Sequence, residues 1–417
     1  MKVLIIGSGG REHAIAHKIS TQNKGAELFV APGNGGISLV ATCVDIKAND
    51  FQGLVSFAKA ESIDFTIVGM DEPLVLGIVD EFEKNNLRIF GPNKKAAQIE
   101  GSKSFSKKLM DKYNIPTAAY EIFDSYDKAA AYAEKAKYPL VVKADGLALG
   151  KGVLICDNYS QCIEALKSSM LENKFGGSGD IVVIEEFLQG SEASLLAFCD
   201  GENIVPMVSA KDHKKIFEGE LGPNTGGMGA ISPSSHYTED IAAAAMGQIF
   251  ERTLYAIKSE GIVYKGVLFF GLMLTESGPK VIEYNARFGD PEAQVVLPRL
   301  KSDLLEIMLA CTEGRLGEIN IEWDDNAVCC VVLASNGYPN NYKTGYKVTG
   351  LDEIPSRSYA YHAGTKLLED GYYTSGGRVV GISTVAGNIS GAIDACYEDL
   401  KKVNFEGVYF RKDIGKN

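Results

Sequence analysis

The sequence has one tryptophan, five histidines of which only His13 and His17 stand at HxxxH spacing, without the glutamate of HExxH, and eight cysteines with no CxxC pair. Zinc-site and dithiol redox motifs are therefore unsupported. No apolar run approaches the roughly 18 residues that a membrane span requires. The first such run, MKVLII, is stopped by Gly7, Ser8, Gly9 and Gly10 before it reaches signal-peptide length, and it reads as a strand. Positive charge is also in deficit: 42 Lys and Arg stand against 54 Asp and Glu, a net charge of −12. That argues against nucleic acid or an anionic membrane as partner, although a local basic pocket for phosphate would not show in the total. Cys43, Cys156, Cys162, Cys199, Cys311, Cys329, Cys330 and Cys396 are scattered along the chain, as reduced core residues of a cytoplasmic protein would be.

What remains is an ordinary globular composition, 45% apolar and 23% charged over 417 residues, enough for roughly two to four domains. KVLIIGSGGREHAIAHKIS reads as a buried strand, a glycine turn and a helix. The N–H groups and positive dipole end at such a turn suit an anion near Gly9, Gly10 and Arg11, unless the glycines merely make the turn. A dinucleotide fingerprint fails, because Glu12 stands where the third glycine of GxGxxG belongs and ELFVAPGN ends without a ribose-binding acid. FTIVG and LRIFG repeat the pattern, so residues 1 to roughly 100 read as an open parallel α/β sheet.

The segment 279–294, PKVIEYNARFGDPEAQ, carries the densest chemistry. VLFFGLMLT and VIEYN around the turn ESGPK predict a hairpin. Alternation along its second strand puts Glu283, Asn285 and Arg287 on one face and Ile282, Tyr284 and Ala286 on the other. A carboxylate, an amide oxygen and a guanidinium in a row suit a partly hydrated magnesium completed by substrate phosphates. A hairpin with a solvated polar face has the same periodicity, but the charged turn RFGDPE exceeds what a connection requires.

Four further segments carry signals. Ser102 predicts a helix cap that places Lys103 and Lys107 one turn apart on one side. YPLVVKADGLALGKGVLICD reads as strand, glycine loop, strand, with Lys143 ending the first strand and Lys151 between Gly150 and Gly152, a loop able to fold over a triphosphate. It is not a P-loop, since GKG lacks the following Ser or Thr. DIVVIEEFLQGSE reads as a strand whose backbone can meet an adenine edge and whose Glu192 can hold a ribose, or equally as an edge strand with acidic solvent residues. AKDHKKIFEGELGPNTGGMGA predicts a long glycine-rich functional loop. The section from Ala327 reads as a small α+β unit ending in FRKDIG.

In order and spacing, GSGGREHA, APGN, IFGP, EGSK, KADGLALGKGV, IEEFL, DHK, GPNTGGMGA, RFGDPE, HAGT, GGRV and FRKDIG resemble the phosphoribosylamine–glycine ligase family of ATP-grasp enzymes. The resemblance covers essentially the whole chain. It implies an α/β and α+β multidomain fold: an N-terminal open parallel sheet (1–101), an ATP-grasp region (102–326) with a lid about 118–190, and a small C-terminal α+β domain (327–417). It also implies ATP as co-substrate, Mg²⁺ or Mn²⁺ on Glu283 and Asn285, and Arg287 and Lys143 as catalytic groups. Lys103, Lys143, Gly150, Lys151 and Gly152 would contact phosphates, Glu185, Glu186, Phe187 and Leu188 the adenine side, and Glu192 the ribose. Glycine and 5-phosphoribosylamine would meet Gly9, Gly10, Arg11, Asp212 and Asp290, in a monomer or weak dimer; another carboxylate–amine pair is the alternative. Met70, Asp71, Lys215, Glu218 and Glu220 depart from the family's usual residues.

Overall fold

A computed structural model describes residues 1–148, 152–172 and 174–416. The N-terminal sheet has five parallel strands in the spatial order Thr42–Cys43, Glu27–Pro32, Lys2–Gly7, Phe65–Val68, Ile89–Phe90. Val3, Leu4, Ile5 and Ile6 are wholly buried, as expected of a parallel strand covered on both faces. The turn after Lys2–Gly7 feeds helix Gly10–Gln22, whose first turn is braced by Glu12: its carboxylate accepts from the Gly9 N–H at 2.6 Å. The acid that breaks the dinucleotide fingerprint thus fills the glycine turn itself.

Next comes a four-stranded antiparallel sheet in the order Tyr120–Phe123, Val182–Glu186, Leu140–Ala144, Val153–Cys156, backed by helices Tyr126–Lys135 and Tyr159–Met170. Its core, including Ala129, Leu140, Val142, Cys162, Leu166 and Ile184, is a separate apolar cluster. The facing sheet is also antiparallel, in the order Ile204–Pro206, Ser191–Cys199, Gly266–Thr275, Gly278–Asn285. Unlike the first, it shares its core with the N-terminal sheet: Leu195, Phe270 and Tyr284 pack in the same cluster as Leu4 and Ile6. One sheet, termed the floor, is continuous with the body of the molecule; the other, termed the lid for its position alone, has its own core.

The last sheet takes strands from both sides of residue 327. Lys211–Asp212 and Gly229–Ser232 extend the antiparallel set Ala327–Ser335, Arg378–Ala386 and Ser358–His362, against which helix Ile389–Asp399 packs. The segment expected as a long loop is consequently structured. Its middle folds into the short hairpin Lys215–Phe217 and Leu221–Asn224, so irregular backbone is confined to brief turns.

Among the described residues no helix is long and apolar enough to cross a membrane.

Candidate active site between lid and floor

A cleft of about 940 Å³ runs between the lid sheet, the floor sheet and the first and last domains. Lys103, Lys143, Glu185 to Leu188, Glu192, Asp212, Glu283, Asn285, Arg287, Arg11 and Asp290 all line it. Gly152 lines it too, whereas Gly150 and Lys151 lie outside the described residues. Gly9 and Gly10 sit behind the lining, against Asp290 and Gln294.

The central hairpin forms as its alternation requires, with one difference. Gly271 pairs with Glu283 but Leu272 pairs with Val281, so Ile282 is an extra residue in a β-bulge. Val281, Tyr284 and Ala286 face the core, while Ile282, expected among them, is turned to the cleft, where its carbonyl accepts from Lys143 Nζ at 2.8 Å. Glu283 and Asn285 keep the shared face. A Cβ at Gly271 would lie 2.8 Å from Glu283 Cγ, so glycine there leaves room for the carboxylate to cross the neighbouring strand.

Lys214 Nζ approaches Glu283 Oε1 at 2.8 Å and Glu192 at 3.7 Å. Lys214, with Lys143 and Lys103 adding to it, holds the Glu283 carboxyl at about 2, so it is ionised at neutral pH. Burial opposes the charge on Lys214, but Glu283, Glu192 and Asp212 outweigh it and raise its pKa. The strand's far end is fixed by Arg287, which donates to Asn285 Oδ1 at 3.0 Å and pairs with Glu100 at 2.8 Å. Burial lifts Glu100 to about 7 against the pull of Arg287. Asp71 faces the same guanidinium at 3.9 Å.

The lid side is organised by one buried acid. Glu185 meets Lys143 through one oxygen and Lys107 through the other, each at 2.9 Å, and all three side chains are nearly inaccessible. Burial, partly offset by Glu185, lowers Lys107 to about 8. Ser102 caps helix Lys103–Lys112 through the Phe105 N–H, which sets Lys103 and Lys107 along one side; Lys103 Nζ donates to the Gly146 carbonyl at 2.7 Å. Three lysines thus reach the cleft from below and above, a local positive zone inside an acidic protein.

At the other end Asp290 stands between two arginines. Arg378 Nη2 lies 3.3 Å from its carboxylate, and Arg11, held by Glu12 at 2.6 Å and by the Phe288 carbonyl at 3.0 Å, flanks it. Burial disfavours the Asp290 charge, but Arg378 and Arg11 outweigh it and depress its pKa. Asp212 and the buried Glu292, by contrast, are driven up, first by burial and then, for Asp212, by Glu292. Asp212 Oδ1 and Arg287 Nε are buried without hydrogen-bond partners, although both residues line the cleft. Orphaned polar atoms in a cleft are what a ligand satisfies.

Among the described residues no group of three or more His, Cys, Asp or Glu surrounds a metal-sized centre. Glu283 and Asn285 supply two hard oxygens on one face, which fits an ion that keeps water and takes the rest of its ligands from phosphates, as magnesium does.

Sequence reading did not single out Lys107 as a partner of Glu185, nor Glu100, Lys214, Glu292 and Arg378. Glu100, Lys214, Glu292 and Arg378 each lie in a recognised string (EGSK, DHK, RFGDPE, GGRV) and Lys107 lies one helical turn beyond EGSK, but only long-range packing brings them to one cavity.

Family models for phosphoribosylglycinamide synthetase match nearly the whole chain: the N domain at residues 1–100, the ATP-grasp (A) domain at 101–293 and the C domain at 328–417. Phosphoribosylamine–glycine ligase of Caldanaerobacter subterraneus is 50% identical over 414 residues, covering 99% of each chain. That of Clostridium acetobutylicum is 49% identical over 418 residues, covering 100% of each. The crystal structure of the Thermotoga maritima phosphoribosylamine–glycine ligase superposes with a TM-score of 0.86 at 33% identity, over 99% of this chain and 100% of that one. A biotin carboxylase domain from Hydrogenobacter thermophilus, crystallised with MgADP, has a TM-score of 0.73 at 16% identity, over 98% and 91% of the two chains, which shows a shared fold alone.

Proposed function

The chain belongs to the phosphoribosylglycinamide synthetase family, ATP-grasp ligases of purine biosynthesis, and on that premise we propose that it joins glycine to 5-phosphoribosylamine through glycyl phosphate. Glycine's carboxylate is a poor electrophile. Transfer of the γ-phosphoryl group of ATP to a carboxylate oxygen gives ADP and an acyl phosphate. The amine of phosphoribosylamine then attacks the acyl carbon, the C–O bond to phosphate breaks with its electron pair, and the nitrogen gives up a proton. Glycinamide ribonucleotide and phosphate result.

Such chemistry asks a protein for positioning and charge neutralisation. Lys103 and Lys143 would hold the phosphates, with Gly150, Lys151 and Gly152 closing over them. The strand that carries Glu185, Glu186, Phe187 and Leu188 would bind the adenine side, and Glu192 the ribose. The family uses ATP with a divalent metal; Glu283 and Asn285 would hold it here, as Mg²⁺ or Mn²⁺, and it would neutralise phosphate charge. Arg287, fixed by Glu100 beside those two ligands, would stabilise the transferred group. Arg11, Asp212 and Asp290, with the Gly9–Gly10 turn behind them, would receive glycine and phosphoribosylamine. We assign the work to three parts, 1–101, 102–326 with the lid about 118–190, and 327–417, in a cytoplasmic monomer or weak dimer.

The observation that carries this reading is that one cleft collects Lys103, Lys143, Glu283, Asn285 and Arg287 in a chain matched end to end by the family. The test is nucleotide turnover followed by chromatography, with glycine, Mg²⁺ and phosphoribosylamine formed in place from ribose 5-phosphate and ammonia. ADP and glycinamide ribonucleotide should appear only when both substrates are present. AMP as product would overturn the acyl-phosphate route, and turnover with alanine in preference to glycine would assign a different carboxylate–amine pair.

A further inference from the structure

The terminal FRKDIG string has no place in the chemistry above, yet it is packed against the segment that carries Lys214. Arg411 is wholly buried. Its Nε and Nη2 reach the two carboxylate oxygens of Asp413, each at 2.8 Å, and Nη2 also meets Glu220 Oε1 at 2.6 Å. Nη1 donates to the Lys215 carbonyl at 2.9 Å. The rest of the tail adds to this. The Gly219 N–H donates to Asp413 Oδ2 at 2.8 Å, and the Tyr409 hydroxyl donates to the Ile216 carbonyl at 2.8 Å. The Lys412 N–H donates to Glu218 at 3.3 Å, and the Gly415 N–H donates to His213 Nε2 at 3.2 Å. Burial, with Arg411 and Lys211 nearby, holds His213 at about 4, so its ring is neutral and can accept at pH 7.

Residues on both sides of Lys214 are therefore tied to residues 409–415. From the opposite side, the N–H and hydroxyl of Thr225 both donate to the Lys214 carbonyl, each at 2.8 Å. A tail that served only to close its own sheet would need Ile414, which packs in the C-terminal core, but not a buried guanidinium whose donors go to residues 215 and 220. Glu218 and Glu220, two positions where the chain departs from the family's usual residues, make their contacts with this tail.

We propose that residues 409–415 are a positioning clasp: Arg411 fixes the backbone around Lys214, so that Lys214 covers Glu283 and Glu192 in the free protein and turns, as a side chain on a stationary backbone, toward a transferred phosphoryl group. The proposal rests on the reading of Glu283 as the phosphate and metal end of the cleft. Lys214 is the group that meets substrate; Arg411 acts through it.

The experiment combines amide hydrogen exchange over residues 213–220 with kcat and KM for ATP, in the full chain and its Arg411→Met, Arg411→Lys and Glu220→Gln variants. Arg411→Met should speed exchange in 213–220 by about tenfold or more, because the segment loses a buried fork. It should lower kcat by about tenfold while KM for ATP changes by less than about threefold. Arg411→Lys, which keeps the charge without the fork, should fall between. Glu220 is half exposed, so Glu220→Gln tests the same clasp if Arg411→Met does not fold, with smaller shifts of the same sign. Unchanged exchange in both Arg411→Met and Glu220→Gln would overturn the clasp. Faster exchange with unchanged kcat would overturn its catalytic part and leave a merely structural tie. Absence of turnover in the unaltered protein would count against the proposed reaction, while the exchange arm would still decide the clasp.

Discussion

Glu185→Gln removes one charge without changing shape, and the structure allows its cost to be bounded. Glu185 bridges Lys107 and Lys143 at 2.9 Å each, in a region closed to water. After substitution each ammonium keeps a neutral acceptor, Thr117 Oγ1 for Lys107 and the Ile282 carbonyl for Lys143, both at 2.8 Å. The new amide oxygen can accept from only one of them, and its NH₂ would face the other as donor against donor. Breaking a buried pair by deleting one partner costs about 3–5 kcal/mol. Lys107 can instead lose its proton, which from its folded value of about 8 costs roughly 1.4 kcal/mol at pH 7, so the loss is bounded between about 1.4 kcal/mol and the roughly 3–5 kcal/mol of an unpaired buried charge. It should fall on the lid, whose core is separate from the floor. The assay is amide exchange in strands Leu140–Ala144 and Val182–Glu186, paired with calorimetric ATP binding, which should weaken by about tenfold or more as Lys143 loses its aim. Adding Lys107→Met should restore most of the lid's stability, because the unpaired ammonium is gone and the introduced amide can serve Lys143 alone. A lid loss below about 1 kcal/mol together with unchanged ATP affinity would refute the idea that Glu185 holds Lys143 in place.

Three further outcomes can be checked directly. Glu283→Gln should lower turnover by at least about a hundredfold while circular dichroism and melting stay near those of the parent, since the side chain is one-third exposed and Lys214 retains Glu192; near-normal rates at saturating Mg²⁺ would remove Glu283 from the metal site. Lys107 titrates near 8 in the folded chain and near 10.4 unfolded, so the unfolded state holds the extra proton between those values and stability should rise with pH across that window, by about 3 kcal/mol at most. Lys107→Met should flatten that rise in denaturant titrations, and an unaltered slope would assign it to another group. Lys151→Ala should depress kcat and leave KM for ATP nearly constant; a raised KM with kcat preserved would make Lys151 a binding residue instead of part of lid closure.

Much of this protein is set by local pattern. The first strand, its glycine turn and the helix after it follow from an apolar run that stops at Gly7, and the Ser102 cap with Lys103 and Lys107 on one side follows from helical spacing. The pairing of Glu283 with Asn285 on one face follows from the period of a strand. Local order also explains why the resemblance to a family is readable at all: each string needs only its own residues in sequence.

Tertiary structure decided the rest, because those contacts join residues far apart in the chain. The bulge at Ile282 depends on pairing with Gly271 and Leu272, and no alternation within VIEYN announces it. Lys214 meets Glu283 across 69 positions and Glu100 holds Arg287 from another domain, so the ionisation of the central carboxylates is a property of packing. The long glycine-rich segment became structured because its strands join the last sheet and its turns are tied to the terminal tail, neither of which its composition reveals. Sequence by itself determined which chemical groups are present and, the bulge at Ile282 excepted, which face of the central hairpin they occupy. Which opposite charges come into contact, and hence what each side chain can do, was settled only when the sheets closed around one cleft.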